Sequence, residues 1–334
     1  MPRIAVHSAH SVFLLAAALL VMAGAAQAID LQGHRGARGL LPENTLPAFA
    51  QALSIGVTTL ELDTAVTRDG VVVVSHDATL NPDITRGPDG QWLARKDIAI
   101  HSLTFAQLQQ YDVGRIRPRT TYALRFSTQQ AVDGTRLPRL ADVFALARRA
   151  GNNTVRFNIE TKISPEQPQH TLPPAEFARA LIALVRAEKL ESRVTIQSFD
   201  WRTLQLVQQE APQIATVYLS AQQSWLDNIR AHDRASPWTA GFHVSRYAGS
   251  VPQMIKAAGG AVWSPYLGDV TRETVREAQQ AGLKVVVWTV NEPRDITRMI
   301  DLGVDGIISD YPDRLRRIAA ERGLPLPPAT PVTP

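Results

Sequence analysis

Two histidines stand among residues of the kind that handle phosphate groups. His34 is followed directly by Arg35 in "GHRGARG", and His76 lies in "VVVVSHD". An imidazole titrates near neutral pH and can take or give a proton, while a guanidinium can hold an anion. A pair of histidines is therefore a candidate for general acid–base chemistry on a phosphodiester, with one imidazole as the base and the other as the acid.

Three carboxylates are predicted to lie near those histidines. Glu61 and Asp63 in "TTLELDTAV" are two residues apart and share one face of a strand, as Glu160 and Lys162 do in "FNIETK". Acids on one interior face repel each other and lose hydration, so they normally require a cation. Because neighbouring strands supply only carboxylate oxygens, the set predicts a Ca²⁺ or Mg²⁺ site rather than a zinc site.

The stretch after Asp63 predicts how His76 reaches this site. In "TAVTRDGVVVVSHD", Asp69 and Gly70 stand between alternating or β-branched residues, which is the strongest short hairpin signal. A two-residue loop places Asp63 opposite His76 and folds the histidine back beside the predicted cation site. A three-residue loop would shift this pairing by about one position.

The elements that position these residues are short β-rich runs alternating with amphipathic helices. Eight strands are predicted, at Ile29–Gly33, Thr58–Ala65, Val155–Glu160, Val194–Ser198, Thr216–Ser220, Gly260–Ser264, Lys284–Val290 and Gly306–Ser309. This alternation favours an α/β fold, a TIM-like (β/α)8 barrel with a β-hairpin extension, whose chemistry sits at the C-terminal ends of the strands. A doubly wound open sheet is the alternative, but neither GxGxxG nor GxxxxGK[ST] occurs.

Two segments depart from this alternation. Residues from Ala78 to about Arg139 form a long insertion after the second strand, with one helix predicted at Thr104–Asp112. Loops of that length are usually functional or disordered, and we expect this one to cap the barrel and set the choice of leaving group. The Pro-rich tail, residues 323–334, is predicted to be disordered, which leaves residues 29–322 as the barrel domain.

Residues 1–28 have the pattern of a cleaved secretory signal peptide. Arg3 is their one charged residue, an apolar core follows, and "AQA" ends at Ala28. The core is short for a membrane span, so no stable membrane insertion is expected after cleavage. The signal pattern predicts a periplasmic or secreted protein, and because the chain has no cysteine, that protein folds without disulfides. The formal net charge of +4 is too small to indicate nucleic-acid binding.

The sequence resembles the glycerophosphodiester phosphodiesterase family over nearly all of residues 29–322. The resemblance rests on "HRG", "PENT", "LELD", "DG" and "HD" in that order, and on "NIETK", "IQSF", "VVWTVN" and "DGIISDYP" further along. It implies a TIM-like barrel, hydrolysis of a small glycerophosphodiester to an alcohol and sn-glycerol 3-phosphate, and Ca²⁺ or Mg²⁺ as cofactor. It also implies that a hydroxyl of the substrate's own glycerol attacks phosphorus, so that a cyclic phosphate forms and water then opens it.

By position in these motifs, the resemblance also implies a role for each candidate residue. The acid–base pair is His34 and His76, and the metal ligands are Glu61, Asp63 and Glu160. The groups implied to contact or support the substrate are Arg35 and Lys162 for its phosphate, Phe199 and Trp288 for its glycerol, and Glu43 as a supporting residue.

Two other functions remain open. One is a lysophospholipase D-like or phospholipase D-like lipid phosphodiesterase on the same barrel, which requires an apolar, membrane-facing rim. The polar and basic insertion argues weakly against it. The other is a non-catalytic phosphodiester-binding barrel, which predicts the loss of a histidine or a ligand, and none is missing. The sequence leaves open the leaving alcohol, the native cation, which histidine acts first and the oligomeric state.

Overall fold

The strands follow the predicted order along the chain. The computed structural model describes Pro2 and residues 28–334, so the predicted signal peptide lies almost wholly outside the described residues. The strands are β1 Asp30–Gly33, β2 Thr59–Val66, β3 Val72–Val74, β4 Arg156–Thr161, β5 Val194–Ser198, β6 Ala215–Ser220, β7 Gln222–Gln223, β8 Leu226–Asp227, β9 Val262–Pro265, β10 Lys284–Val287 and β11 Gly306–Ser309.

Eight of these strands, all parallel, close into a barrel in this part of the chain. Their order is β1-β2-β4-β5-β6-β9-β10-β11, and β11 pairs back with β1. The antiparallel strand β3 extends β2, and β7 pairs with β8 in a small separate hairpin. The predicted (β/α)8 barrel with a hairpin extension is therefore confirmed.

The helices complete the alternating pattern. They are α1 Leu46–Ile55, α2 Phe105–Leu108, α3 Thr121–Arg125, α4 Leu140–Arg149, α5 Pro174–Ala187, α6 Trp201–Glu210, α7 Val251–Ala257, α8 Arg272–Gln280, α9 Pro293–Leu302 and α10 Pro312–Glu321. Short 3₁₀ turns lie at Ile100–Ser102, Pro168–His170, Val244–Tyr247 and Leu267–Asp269. All helices except α2 and α3 surround the barrel, and their apolar faces pack on the sheet in one main core. Among the described residues, none of the helices is both long and apolar enough to cross a bilayer.

The first βα unit shows how the sequence builds the loop that carries His34. Thr45 caps α1 by accepting a hydrogen bond from the Ala48 amide, and Gly56 ends the helix in the left-handed region. Gly36 has a φ of +83°, and a Cβ built there would lie 2.7 Å from the Ala48 carbonyl carbon. Only glycine therefore lets this loop lie so close to α1.

The hairpin of β2 and β3 differs from the prediction by one position. Val66 pairs with Val72, and the Thr67 amide donates to the Val71 carbonyl at 3.0 Å, which leaves a three-residue loop. Gly70 supplies the positive φ of +80° that this loop uses. The predicted two-residue loop is therefore wrong, as is the Asp63–His76 pairing, because the Ser75 amide donates to the Asp63 carbonyl instead.

The insertion is an ordered subdomain with a small core of its own. Five of its side chains form this core together with Ala65 and Val73 of the β2–β3 hairpin, and they are Leu80, Ile100, Leu108, Val113 and Leu137. Helix α2 occupies only the first half of the predicted Thr104–Asp112 helix, and α3 was not predicted. Beyond α3 the chain lies on the β1–α1 loop, where Gln129 Nε2 donates to the Arg38 carbonyl at 2.7 Å. The insertion therefore supports the loop that carries His34.

The tail is not free of the barrel, in contrast to the predicted disorder. Residues 323–334 contain no helix or strand, but the Thr330 amide donates to the Leu53 carbonyl at 2.8 Å. Arg316 Nη1 donates to the Pro327 carbonyl at 2.7 Å, and Val332 packs on the main core. The prediction of disorder rested on proline content alone. The structure shows that the tail forms hydrogen bonds with residues at the end of α1 and on α10.

Candidate active site

The structure brings the predicted site residues together at the C-terminal mouth of the barrel. A cavity of about 460 Å³ is lined by His34, Arg35, Glu61, Asp63, His76, Glu160, Lys162, Phe199 and Trp288. Glu43 lies behind Arg35 and accepts a hydrogen bond from its Nη1 at 2.6 Å. Cavities at this end of a barrel are where such folds place their chemistry.

Strand register brings the three acids into contact. Glu61 and Asp63 lie two residues apart on β2, and Asp63 stands directly opposite Glu160 of β4. Each of the three residues is at least nine-tenths buried, and one carboxylate oxygen from each lies within 4.8 Å of the other two. The predicted set Glu61, Asp63 and Glu160 is thus a compact cluster of hard oxygen donors.

The cluster is electrostatically unbalanced without a further cation. Burial, and then the charge of Asp63, raises the pKa of Glu61 well above its usual range. Burial and Asp63 together raise the pKa of Glu160 to about 7, although Lys162 opposes the shift. Asp63 Oδ1 is buried and accepts no hydrogen bond from the described residues. Raised carboxyl pKa values and a free buried oxygen are the features of a site that fits a divalent cation.

Asp63 is the acid that stays ionised most firmly. Burial opposes its ionisation, but the charges of His76, Arg35 and Lys162 together lower its pKa. Asn44 Nδ2 also donates to Asp63 Oδ2 at 3.0 Å. Asp63 is therefore the carboxylate best prepared to hold a cation.

Two cations flank the acids and face the cavity. Arg35 Nε lies 3.4 Å from Asp63 Oδ2, and Lys162 Nζ lies 2.9 Å from Glu160 Oε1 and 3.8 Å from Asp63 Oδ1. The Arg35 amide also donates to Glu61 Oε2 at 2.9 Å. The positions of Arg35 and Lys162 allow both to bind the oxygens of a phosphate placed beside the acids.

The insertion reaches this cation network through a tyrosine. The Tyr122 hydroxyl of α3 donates to Glu43 Oε2, while Glu43 Oε1 accepts from Arg35. Burial, and then the charge of Glu43, raises the pKa of Tyr122, so the phenol keeps its proton. The support that Glu43 gives to Arg35 therefore depends on the folded insertion.

His34 is held by a carboxylate on its side away from the acids. Its Nδ1 lies 2.6 Å from Asp310 Oδ1, and Asp310 also accepts hydrogen bonds from Arg38 Nε at 2.7 Å and Asn291 Nδ2 at 2.7 Å. Against the effect of burial, Arg38 and His34 lower the pKa of Asp310, so it is a carboxylate that can only accept. The proton of neutral His34 is therefore on Nδ1, and Nε2 faces the cavity as an acceptor.

His76 approaches from the hairpin on the opposite side. Its Nδ1 lies 3.2 Å from Asp77 Oδ1, and its Nε2 lies 3.1 Å from Lys162 Nζ. Burial, then Arg35 and Lys162, lower the pKa of His76. Burial, then Arg38, lowers the pKa of His34 to about 4, although Asp310 opposes that shift. Both imidazoles are thus neutral near pH 7 before any anion enters the cavity.

The aromatic rings of Phe199 and Trp288 form one wall of the cavity. Their ring centroids are 5.3 Å apart and the planes are nearly perpendicular. Lys162 Nζ lies 5.9 Å from the centre of the Phe199 ring. This wall offers apolar surface directly beside the position available for a phosphate.

Sequence reasoning missed several residues that hold the site together, namely Arg38, Asn44, Tyr122, Gln197, Asn291 and Asp310. Asp310 follows β11 directly, and this position at a strand's C-terminal end is the same signal that identified His34. Gln197 lies on β5, and its Nε2 donates to Glu61 Oε1 at 2.6 Å. Tyr122 had no such signal, because its position depends on how the insertion folds back.

The mouth of this parallel barrel thus holds two histidines, an arginine, a lysine and three clustered acids. The family model described as Glycerophosphoryl diester phosphodiesterase family matches residues 34–314. The chain belongs to the glycerophosphoryl diester phosphodiesterase family. The predicted family and enzyme class, a phosphoric diester hydrolase, are thereby confirmed.

Individual relatives agree with this assignment. A crystal structure of a protein of this family from Silicibacter pomeroyi DSS-3 is 39% identical, has a TM-score of 0.79, and aligns over 89% of this chain and 95% of the other. A glycerophosphodiester phosphodiesterase of Caldanaerobacter subterraneus is 29% identical over 87% of this chain and 97% of its own length. A phosphodiesterase of Oleispira antarctica, solved with the product sn-glycerol-3-phosphate, is 21% identical, with a TM-score of 0.63 and coverage of 88% and 97%, and shares the fold.

We predict that Asp310→Asn lowers kcat by about 10²-fold or more and leaves KM nearly unchanged. Both oxygens of Asp310 accept hydrogen bonds, whereas the neutral amide accepts at only one terminal atom. The substitution therefore removes the negative charge that favours the proton on Nδ1 of His34, while Arg35 and Lys162 are untouched. Steady-state kinetics measure kcat and KM separately. Asp112→Asn, which alters a carboxylate paired with Arg86 inside the insertion, is the matched control and should retain kcat. A kcat for Asp310→Asn close to that of the unaltered protein would remove Asp310 from the mechanism.

Proposed function

We propose that the protein hydrolyses water-soluble glycerophosphodiesters to an alcohol and sn-glycerol 3-phosphate, with Ca²⁺ or Mg²⁺ as cofactor. The observation that carries the proposal is the convergence of His34 and His76 on the same cavity as Arg35 and Lys162. A cavity of about 460 Å³ has room for a glycerophosphate and part of its alcohol. The apolar wall of Phe199 and Trp288 fits the carbon side of the glycerol.

The acidic cluster would hold the cofactor. Glu61, Asp63 and Glu160 supply only carboxylate oxygens, which suits Ca²⁺ or Mg²⁺. When bound, such a cation supplies positive charge that stabilises the phosphate oxygens and lowers the pKa of a neighbouring hydroxyl. Arg35 and Lys162 orient the phosphate from either side of the cluster.

We infer that His34 begins the reaction as the general base. Asp310 keeps its proton on Nδ1, so Nε2 can take the proton of the attacking glycerol hydroxyl. His76 then gives a proton to the leaving oxygen. The phosphate charge offsets Arg35 and Lys162, two of the causes that lower the pKa of His76, so substrate binding favours its protonated form. The two imidazoles exchange roles when water opens the cyclic phosphate.

The location of the enzyme is part of the proposal. Residues 1–28 have the three parts of a signal peptide, and the absence of cysteine fits a protein that reaches the periplasm or the outside without needing disulfides. In either location the enzyme would meet glycerophosphodiesters that are released from membrane lipids.

A lipid phosphodiesterase is a second candidate, because one observation favours it. Trp225 is 59% exposed and lines the same cavity as the site residues. Trp225 therefore provides apolar surface at the mouth. The polar and basic sequence of the insertion had argued against such a surface, and so against a lysophospholipid substrate. The two candidates share the site and the chemistry and differ in the group attached to the glycerol.

The proposed function predicts a metal-dependent release of sn-glycerol 3-phosphate. Its rate should be measured on glycerophosphocholine, glycerophosphoethanolamine, glycerophosphoinositol and a lysophospholipid, with and without a chelator. We expect turnover of the three soluble diesters that stops with the chelator and returns with Ca²⁺ or Mg²⁺. Full turnover by metal-stripped protein would refute the cation requirement, and activity on the lysophospholipid alone would favour the second candidate.

The two-histidine mechanism predicts strong non-additivity. His34→Ala and His76→Ala should each lower kcat by about 10²–10⁴-fold, and the double variant should lose much less than the product of the two, because the imidazoles act as a unit. A substrate analogue lacking the neighbouring hydroxyl should not be hydrolysed. Hydrolysis of that analogue at the rate of the parent would mean that water attacks phosphorus directly, without a cyclic phosphate.

A further inference from the structure

The insertion carries the whole net charge of the protein. Residues 78–139 contain nine Lys and Arg side chains against five Asp, whereas the rest of the sequence contains 26 basic and 26 acidic residues. The segment from Arg115 to Arg125 contributes four arginines and no acid. The positive charge is thus concentrated in the subdomain beside the barrel mouth.

Helix α3 and the residues just before it present an aliphatic side chain and two arginines to solvent. Leu124 is 79% exposed, and Arg119 and Arg125 are exposed and have no carboxylate partner among the described residues. The opposite side of the helix is fixed, because Tyr122 donates to Glu43 and Phe126 is buried beneath the Arg38 guanidinium. The folded insertion therefore holds Leu124 in solvent.

A tryptophan stands on the other side of the mouth. Trp225, in the β7–β8 hairpin after β6, is 59% exposed and packs edge-to-face on Tyr266 at 5.2 Å. In the barrel order, β2 and β6 are separated by two strands in one direction and four in the other. The insertion after β2 and this hairpin therefore stand on opposite sides of the cavity, and both Lys96 and Arg125 line it.

We propose that the rim of the mouth docks on an anionic lipid surface. Leu124 and Trp225 would enter the interface from opposite sides, with Arg119 and Arg125 against the lipid phosphates. Exposed leucine and tryptophan beside arginines suit the boundary of a bilayer, and each basic group near an anionic membrane strengthens attachment. A soluble polyanion such as a nucleic acid would use the arginines but leave both apolar side chains in water.

Docking would place the catalytic cavity against the membrane. Diesters formed at that surface would then reach the mouth directly, and so would the headgroups of lysophospholipids. The inference does not depend on the proposed function, because attachment can be measured without catalysis. Its failure would leave the hydrolysis of soluble diesters unaffected.

Flotation with lipid vesicles tests the docking surface. The protein used begins at residue 29, so that it contains the whole barrel and lacks the apolar residues 1–28, which could bind lipid by themselves. We expect it to float with vesicles of phosphatidylcholine and phosphatidylglycerol, and not with phosphatidylcholine alone, and to be released by salt. The double variant Arg119→Glu/Leu124→Ser should lower the partition coefficient at least about tenfold. Hydrolysis of a soluble diester should be unchanged, since neither residue lines the cavity.

A matched control separates the rim from general charge and hydrophobicity. Arg149→Glu/Leu326→Ser makes the same chemical changes on exposed residues of α4 and the tail, away from the mouth. This control should bind vesicles like the unaltered protein. Absence of binding to anionic vesicles at low salt, equal binding to both vesicle types, or an equal loss in the control would overturn the proposal. Complete competition by soluble heparin that Leu124→Ser does not change would indicate a polyanion site instead.

Discussion

The site depends on three carboxylates that are buried together, where water screens the repulsion between their charges only weakly. The parallel register sets Asp63 opposite Glu160, and Glu61 lies on the same face of β2, so their oxygens lie within 4.8 Å. Such a cluster is unfavourable by itself, as the raised pKa values of Glu61 and Glu160 indicate. Arg35 and Lys162 offset part of this charge, and a divalent cation held by the cluster would offset the rest.

The surrounding structure arranges positive charge and protons around that cluster. On one side, Tyr122 donates to Glu43, which accepts from Arg35, so the insertion helps to orient this guanidinium at the cavity. On the other side, Asp310 orients His34 so that Nε2 faces the acids, with Nε2 lying 3.8 Å from Glu61 Oε2. The insertion therefore contributes to the site itself as well as to its rim. The sequence had predicted only that it caps the barrel and sets the choice of leaving group.

The sequence predicted the barrel and the main site residues because both follow local rules. Strands alternate with helices, and side chains at strand ends meet at one mouth, which located His34 and Glu160 without a structure. The hairpin register was missed because a single residue in the turn decides it, and Gly70 favours the longer loop. Tyr122 was missed because it contacts Glu43, which lies 79 residues away in the sequence. The spacing of apolar residues along the chain does not indicate such long-range contacts.

Thermal unfolding of the metal-stripped protein, with and without Ca²⁺ or Mg²⁺, tests the central claim most directly. Binding to the folded acidic cluster alone should raise the melting temperature with rising cation concentration, since the ion would stabilise only the native state. Glu160→Gln removes one ligand and should abolish most of that rise, while a substitution of the exposed Glu321, outside the site, should not. An equal rise in Glu160→Gln, or no rise in the unaltered protein at saturating cation, would contradict the account.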